Sequence, residues 1–290
     1  MNSRIRNAGR AIGAPLSYVV GRATRREQWA SMAVKMDPLF FRGYFSLNQK
    51  RRGSENFERY LQAARFTAAS TTDIDKRLSR LIHGSHGQIL QDVMCGLLLE
   101  EKTNGYFVEI GVGDGIHYSN TFMLERDLNW KGILAEPARM FHDSINKNRR
   151  STLAKFAVTE KTGQVLEFEE DGHFGELSGL TGQRTARGQQ DITRYEVYTK
   201  TLDDLLEENN APSVIDYLSI DTEGSELGVL AGLNLSKRRI NFVTIEHNFD
   251  RFRQKAYSEY FGTKKYQQIR PDLSGFDAWY VHPDIELHGF

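Results

Sequence analysis

Apolar residues recur in two alternating periods along the last two thirds of the chain, and the alternation predicts an α/β fold. Helical spacing comes first, with Ile89, Leu90, Val93, Met94, Leu97 and Leu98 marking one face of a helix over 88–101. Gly105-Tyr106-Phe107-Val108-Glu109-Ile110 follows, a short apolar run that suits a strand buried on both faces. The pattern then predicts a crossover helix at 120–128, a strand at 131–136, a helix at 141–149 and a third strand at 153–158. Thr201 caps a helix that opens at 201–206. Strands at 214–220 and 240–245 flank a helix at 225–233, and a charged helix covers 249–261. The last strands, 266–269 and 278–281, lie too close for an intervening helix, so the sheet should end in an antiparallel pair. The expectation is a doubly wound α/β fold: a mostly parallel seven-stranded sheet, antiparallel at its last strand, with ligands at the strand carboxyl ends.

Two regions break the alternation. Residues 165–169 read as a half-exposed strand, with 195–200 returning beside it as a hairpin-like excursion. Between them, 171–191 is rich in Gly, Ser, Thr and Gln, a length and composition typical of lids and binding loops. Ahead of the alternating region, residues 56–69 have a helical stripe of Phe57, Tyr60, Leu61, Ala64 and Ala68. Thr72-Asp73 caps a second helix striped by Ile74, Leu78, Leu81 and Ile82. The chain therefore divides into a mainly helical extension, 1–85, and an α/β domain, 86–290.

Charge sharpens that division. The 290 residues carry 38 basic and 38 acidic side chains, so no global basic field points to nucleic acid. The first sixty, however, hold twelve Lys and Arg against four acids. Such a segment reads as a solvated basic helix or arm, with peripheral contact to a partner, an anionic glycan or lipid as the functional alternative. No apolar run approaches the ~20 residues of a membrane span. Cys95 is the single cysteine, which excludes an intramolecular disulfide and fits a reducing, cytoplasmic setting. No pattern speaks to oligomeric state.

The chemistry gathers at predicted strand ends. Gly111, Gly113 and Gly115 alternate after the first strand, with Asp114 among them; such a turn brings bare backbone to a nucleotide-like ligand, although plain tight turns use the same residues. Glu109, an acid inside an apolar strand, needs a partner. Glu136 ends the second strand about 20 residues past the turn, the spacing at which an acid accepts bonds from ribose hydroxyls. Asp221 and Glu246 end the strands at 214–220 and 240–245. Converging carboxylates repel unless a cation or proton intervenes, so a hard divalent metal, ligand hydroxyls or simple helix-terminus acids are the readings open for them. Glu223 and Glu226 sit where acids complement a helix dipole. His247 is a candidate general base or metal ligand; His117 and His173 are lesser ones. There is no zinc spacing, no phosphate-binding Gly-Lys-Ser/Thr loop and no Gly-x-Ser-x-Gly elbow.

Taken in order, these words resemble the FkbM-type family of S-adenosylmethionine-dependent methyltransferases. The match runs through Gln91-Asp92, Phe107-Val108-Glu109-Ile110-Gly111, Asp114-Gly115, Ser119-Asn120-Thr121, Trp130-Lys131-Gly132 and Glu136-Pro137. It continues with Thr201-Leu202-Asp203-Asp204-Leu205, Ile220-Asp221-Thr222-Glu223-Gly224-Ser225-Glu226 and Asp277-Ala278-Trp279, covering roughly 86–290. The resemblance implies a Rossmann-like class I fold and S-adenosylmethionine as cofactor. It implies that Glu109 and the backbone of Gly111, Gly113, Asp114 and Gly115 hold the methionine part, and that Glu136 with Pro137 holds the ribose. Ala157 and Val158 would flank the adenine, and Asp221 would lie near the amino group or reacting centre. Family members commonly methylate hydroxyls of sugars or secondary metabolites, which makes a small molecule or glycan the expected acceptor. Glu246-His247-Asn248 is more polar than the family pattern, suggesting Mg²⁺ bound by Asp221, Glu246 and His247, with His247 or Glu223 removing the acceptor proton and 171–191 covering it. A nicotinamide-dependent oxidoreductase would place its glycines as Gly-x-Gly-x-x-Gly. A non-catalytic binding module would bind no methyl donor, and a methyltransferase of nucleic acid would use the basic arm.

Overall fold

The computed structural model describes residues 76–183 and 191–287. The helix expected at 56–69 and most of the basic extension lie outside the described residues. Helix α1 (Lys76–Gly84) presents buried Leu78 and Leu81 to α2 (Gln91–Leu98). Gly96 permits the approach, since a Cβ there would stand 3.0 Å from Leu81. Helix α2 starts later than expected because Leu90 adopts φ +65°.

Seven strands form the main sheet: β1 (Tyr106–Ile110), β2 (Lys131–Ala135), β3 (Thr152–Ala154), β8 (Val214–Ile220), β9 (Arg239–Glu246), β10 (Gln267–Ile269) and β11 (Asp277–Val281). Their order is β10-β11-β9-β8-β1-β2-β3. Neighbours from β3 to β9 are parallel, whereas β11 runs antiparallel to both β9 and β10. The expected antiparallel ending is present. Helices α3 (Phe122–Leu128), α4 (His142–Asn148), α5 (Leu202–Glu208), α6 (Glu226–Ala231) and α7 (Arg251–Gly262) fall between strands. Thr201 caps α5 as expected, its hydroxyl accepting from the Asp204 N–H. Asp250 caps α7 and delays its start to Arg251.

The β-structure as a whole is more mixed than one mostly parallel sheet. A second, four-stranded sheet has the order β4-β7-β5-β6, built from β4 (Ala157–Val158), β5 (Val165–Asp171), β6 (Gly179–Leu180) and β7 (Ile192–Lys200). The antiparallel β5–β7 pairing, from Val165 opposite Tyr198 to Asp171 opposite Ile192, is the expected excursion extended toward the polar segment. That segment is therefore partly β-structure, because β6 pairs with β5 through Phe168 and Leu180. The strand expected at 153–158 is in fact two. Among the described residues β3 is the sheet edge, with no ladder beyond it to hold the chain straight, and after exposed Lys155 the chain leaves to pair Ala157 with Thr199. Tyr195 docks this second sheet beside the end of β2. Its hydroxyl accepts from the Arg139 N–H and donates to Glu170, while the Arg139 guanidinium lies 3.9 Å over the ring.

The period of two in each strand divides the main sheet between two layers. Val108, Ile110, Leu218, Ile220, Val243, Ile245 and Tyr280 pack in one core with α5, α6 and α7. The opposite face has a row in register, Glu109, Ser219, Thr244 and Trp279, above a stacked Tyr217–Phe242 pair. Polar atoms on this row are linked: Tyr217 and Thr244 share a 2.8 Å hydrogen bond, and Asn120 donates to Ser219. Followed to the carboxyl ends of β8 and β9, the same face reaches Asp221 and Glu246, with Asp277 opposite Glu246 at the amino end of the antiparallel β11. Among the described residues no helix is long and apolar enough to cross a membrane.

Candidate functional site

The glycine turn after β1 is locked to both neighbouring strands. Gly111 has φ +81°, and a Cβ there would lie 1.6 Å from the Asp221 carbonyl oxygen, so only glycine fits. The Asp221 N–H donates to the Ile110 carbonyl and carries the β1–β8 ladder to the rim. From the other side, Glu136 Oε2 accepts from the Val112 and Gly113 N–H groups, both at 2.9 Å, and Oε1 accepts from the Ala138 N–H at 2.8 Å. Burial pushes the Glu136 carboxyl up to about 7, against the pull of these three donors. Among the described residues Oε1 has a single donor, which leaves room for another. Gly113, at φ +58°, has nothing within 4 Å of the position a Cβ would take, so its bare backbone borders open space. Asp114 staples the turn by accepting from the Ile116 and His117 N–H groups and pairing with the His117 ring. Pro137 lies between Glu136 and Ala138 in the segment docked by Tyr195.

Glu109 departs from expectation. Its buried carboxylate accepts from the Asn120 N–H at 2.7 Å, the Thr121 hydroxyl at 2.6 Å and the Ser119 hydroxyl at 3.0 Å, and lies 3.5 Å from Arg149. Burial raises its pKa, while Arg149 and these bonds oppose the rise. It anchors the turn from inside and is not held out toward a ligand. Arg149, just past α4, is the residue missed in the sequence. Wholly buried, it donates to the Gly115 carbonyl and the Ser119 and Thr121 hydroxyls and pairs with Glu125. The signal was Glu109 itself, since a buried acid demands a cation. Val158 also differs: its side chain belongs to the apolar core, and with Ala157 it sits in the second sheet and not at the end of β3.

Across the turn, Asp221, Glu223 and Glu246 come together, with one oxygen from each lying within 4.8 Å of the others. Glu246 is 6% exposed, and its Oε2 has no hydrogen-bond partner among the described residues. Burial, followed by Asp221, Glu223, Glu226 and Asp277, pushes its carboxyl up to about 10. Asp221 is raised well above the carboxylate range by burial and by Glu223 and Asp277. Asp277, opposite Glu246 in the β9–β11 ladder, is raised by burial to about 7 although Gln91 donates to it at 3.0 Å. Glu226 has a structural role, accepting from Thr222 and the Gly224 N–H and pairing with Arg253 at 3.2 Å.

His247 is corrected on both counts. Its Nδ1 accepts the Phe249 N–H at 3.0 Å. A backbone N–H only donates, so the ring proton sits on Nε2 and neither nitrogen offers a free lone pair to a proton or a metal. Burial also lowers its pKa. The carboxylate cluster at the rim does not include it. His117 pairs with Asp114, and His173 lies in the turn stapled by Asp171. The polar segment does reach the rim: a Cβ on Gly224 would lie 1.8 Å from the Gln183 carbonyl.

Comparison with known proteins agrees with this arrangement at the level of family. No curated protein matches the chain. Among solved structures, the METTL16 MTase domain aligns at 13% identity and a TM-score of 0.39, covering 89% of this chain and 92% of that one. The N-terminal domain of human METTL16 aligns at 14% and 0.37, covering 89% and 94%. Precorrin-6y C5,15-methyltransferase from Geobacter metallireducens GS-15 aligns at 12% and 0.34, covering 66% and 85%. Likenesses this distant carry no argument about chemistry. The family model described as Methyltransferase FkbM domain, in contrast, matches residues 109–278, from the buried glutamate of β1 into β11. With more than half its length matched, the chain belongs to the FkbM methyltransferase family.

Proposed function

We infer that the protein is an S-adenosylmethionine-dependent O-methyltransferase acting on a hydroxyl of a sugar, glycan or glycosylated metabolite. The family implies the methyl donor, and two features fit it: the open backbone at Gly113 and the spare acceptor capacity of Glu136 Oε1. The donor supplies a methyl group already activated by its sulfonium. The protein must therefore align the acceptor oxygen and remove its proton.

The observation that carries the acceptor reading is the convergence of Asp221, Glu223 and Glu246, with one buried Glu246 oxygen unpartnered among the described residues. Neighbouring alcohol hydroxyls are suited to donate into such a cluster. Asp221 and Glu223 orient them, and an ionised carboxylate of the cluster takes the proton. These three residues also form an all-oxygen set suited to Mg²⁺, which would keep Glu246 ionised near neutral pH. Glu223 remains a candidate for the base, whereas His247 does not.

Calorimetry with S-adenosylmethionine and S-adenosylhomocysteine, with and without Mg²⁺, tests the cofactor and the metal together. Binding of both nucleosides is expected, with Mg²⁺ heats lost in Asp221→Asn. Absence of nucleoside binding sinks the reading. Unchanged turnover in EDTA removes only the metal.

A further inference from the structure

Phe249 is a bulky aromatic in a backbone conformation such residues rarely adopt, and its ring is left in solvent. Asn248 and Phe249 have φ of +49° and +60°, consecutive left-handed residues directly after Glu246-His247. The strain is held locally. His247 Nδ1 accepts the Phe249 N–H, the Asn248 N–H donates to the Phe276 carbonyl, and the Asp250 N–H donates to the His247 carbonyl. Burial of the ring does not offset the strain, because Phe249 is 69% exposed. Phe252, in the first turn of α7, is 72% exposed. The chain thus fixes an aromatic side chain in the open, three residues after the buried Glu246 carboxylate of the acid rim. The His247 ring, 6.0 Å away, is spent on holding it there.

We propose that Phe249 is an acceptor-stacking residue that selects a pyranose ring, and that His247 is its positioning residue. The proposal rests on the sugar reading above. A pyranose combines the two properties this rim offers. Its hydroxyls donate to carboxylates, and its ring C–H bonds form an apolar, weakly positive face that suits the negative face of an aromatic ring. An open-chain polyol has the hydroxyls without the face. The strained Asn248–Phe249 turn then has a role, setting the stacking ring at a fixed place relative to the hydroxyl-binding acids.

Saturation-transfer NMR on the protein loaded with S-adenosylhomocysteine tests this, using methyl pyranosides of glucose, mannose, galactose and rhamnose with sorbitol as control. At least one pyranoside should bind better than sorbitol, with transfer strongest to protons of one ring face. Phe249→Ala should weaken that pyranoside about tenfold, and Phe249→Trp should retain it. His247→Leu should weaken it too, and His247→Asn, whose side-chain oxygen accepts the same N–H, should restore much of the loss. Calorimetric affinity for S-adenosylhomocysteine should not change in any variant, which also shows that each is folded. Equal pyranoside binding by wild type and Phe249→Ala overturns the stacking role and leaves the sugar reading standing. No pyranoside binding by the wild type overturns both. Loss of anionic phosphatidylglycerol vesicle binding in Phe249→Ala, with pyranosides unaffected, overturns the proposal in favour of a membrane contact.

Discussion

The carbonyl oxygen of Asp221 occupies the space beside Gly111 that any other side chain would claim, 1.6 Å from where a Cβ would stand. Backbone of the glycine turn and backbone of the acid rim are therefore in direct contact, and neither can shift alone. Gly111→Ala should move both. The expected cost is about 1–3 kcal/mol of overpacking, with positive-φ strain added, and a fall of at least tenfold, roughly, in S-adenosylhomocysteine affinity. Urea denaturation and calorimetry read the two effects, and a variant with native stability and affinity would refute the coupling.

Arg149 is the internal counterpart of that contact. It lies between the buried carboxylates of Glu109 and Glu125 and also ties the Gly115 carbonyl to the turn. Arg149→Met leaves the buried Glu109 carboxylate without a cation, whereas Glu125 keeps Arg150 at 3.8 Å, so a loss of about 3–5 kcal/mol is expected. Adding Glu109→Gln should recover part of it, since the stranded charge is then removed. Thermal denaturation of the single and double variants checks this, and strictly additive losses would contradict it.

Gly224 faces the Gln183 carbonyl, 1.8 Å from where its Cβ would stand, at φ +133°. Gly224→Ala should push the 179–183 turn off the rim and leave β1 and β2 untouched. Hydrogen exchange should rise over 179–183 and hold steady over 106–110 and 131–135. A uniform rise would mean general destabilisation instead.

Features carried by neighbours along the chain are legible in the amino-acid sequence alone. The glycine turn, the Glu136 spacing, the Thr201 cap and the antiparallel ending depend on short spans, and each is present. Features that depend on distant partners are not legible in this way. Glu109 is satisfied by Arg149, 40 positions on, and Asp277 by Gln91, 186 positions back. The break between β3 and β4 is decided by β7, which offers Thr199 and Lys200 as pairing partners to a strand end at the sheet edge. His247 misleads because one hydrogen bond, to a backbone N–H two residues on, fixes its tautomer, and residue type says nothing about tautomers.

Glu136 makes the stability of the protein and its affinity for the nucleoside depend on pH in opposite directions. Its carboxyl, ordinarily near 4.5, is pushed by burial to about 7 in the folded protein. Between these values the folded state holds a proton that the unfolded chain has released. Stability of the ligand-free protein from this group is therefore greatest below the lower value and is lost as pH rises through the upper one. Donor hydroxyls of a bound ribose favour the ionised form, so affinity for S-adenosylhomocysteine should move the opposite way and tighten from about pH 6 to about pH 8. Glu136→Gln removes the titrating group. It should bind at least tenfold more weakly, roughly, at the higher pH and show little change across the range, and its stability should fall less steeply with pH than that of the wild type. Other raised acids, Asp277 and Glu246 among them, contribute their own slopes, and the difference between wild type and variant isolates this one. Calorimetry at both pH values with paired urea titrations makes the measurement, and identical pH profiles would show that Glu136 does not hold the ribose.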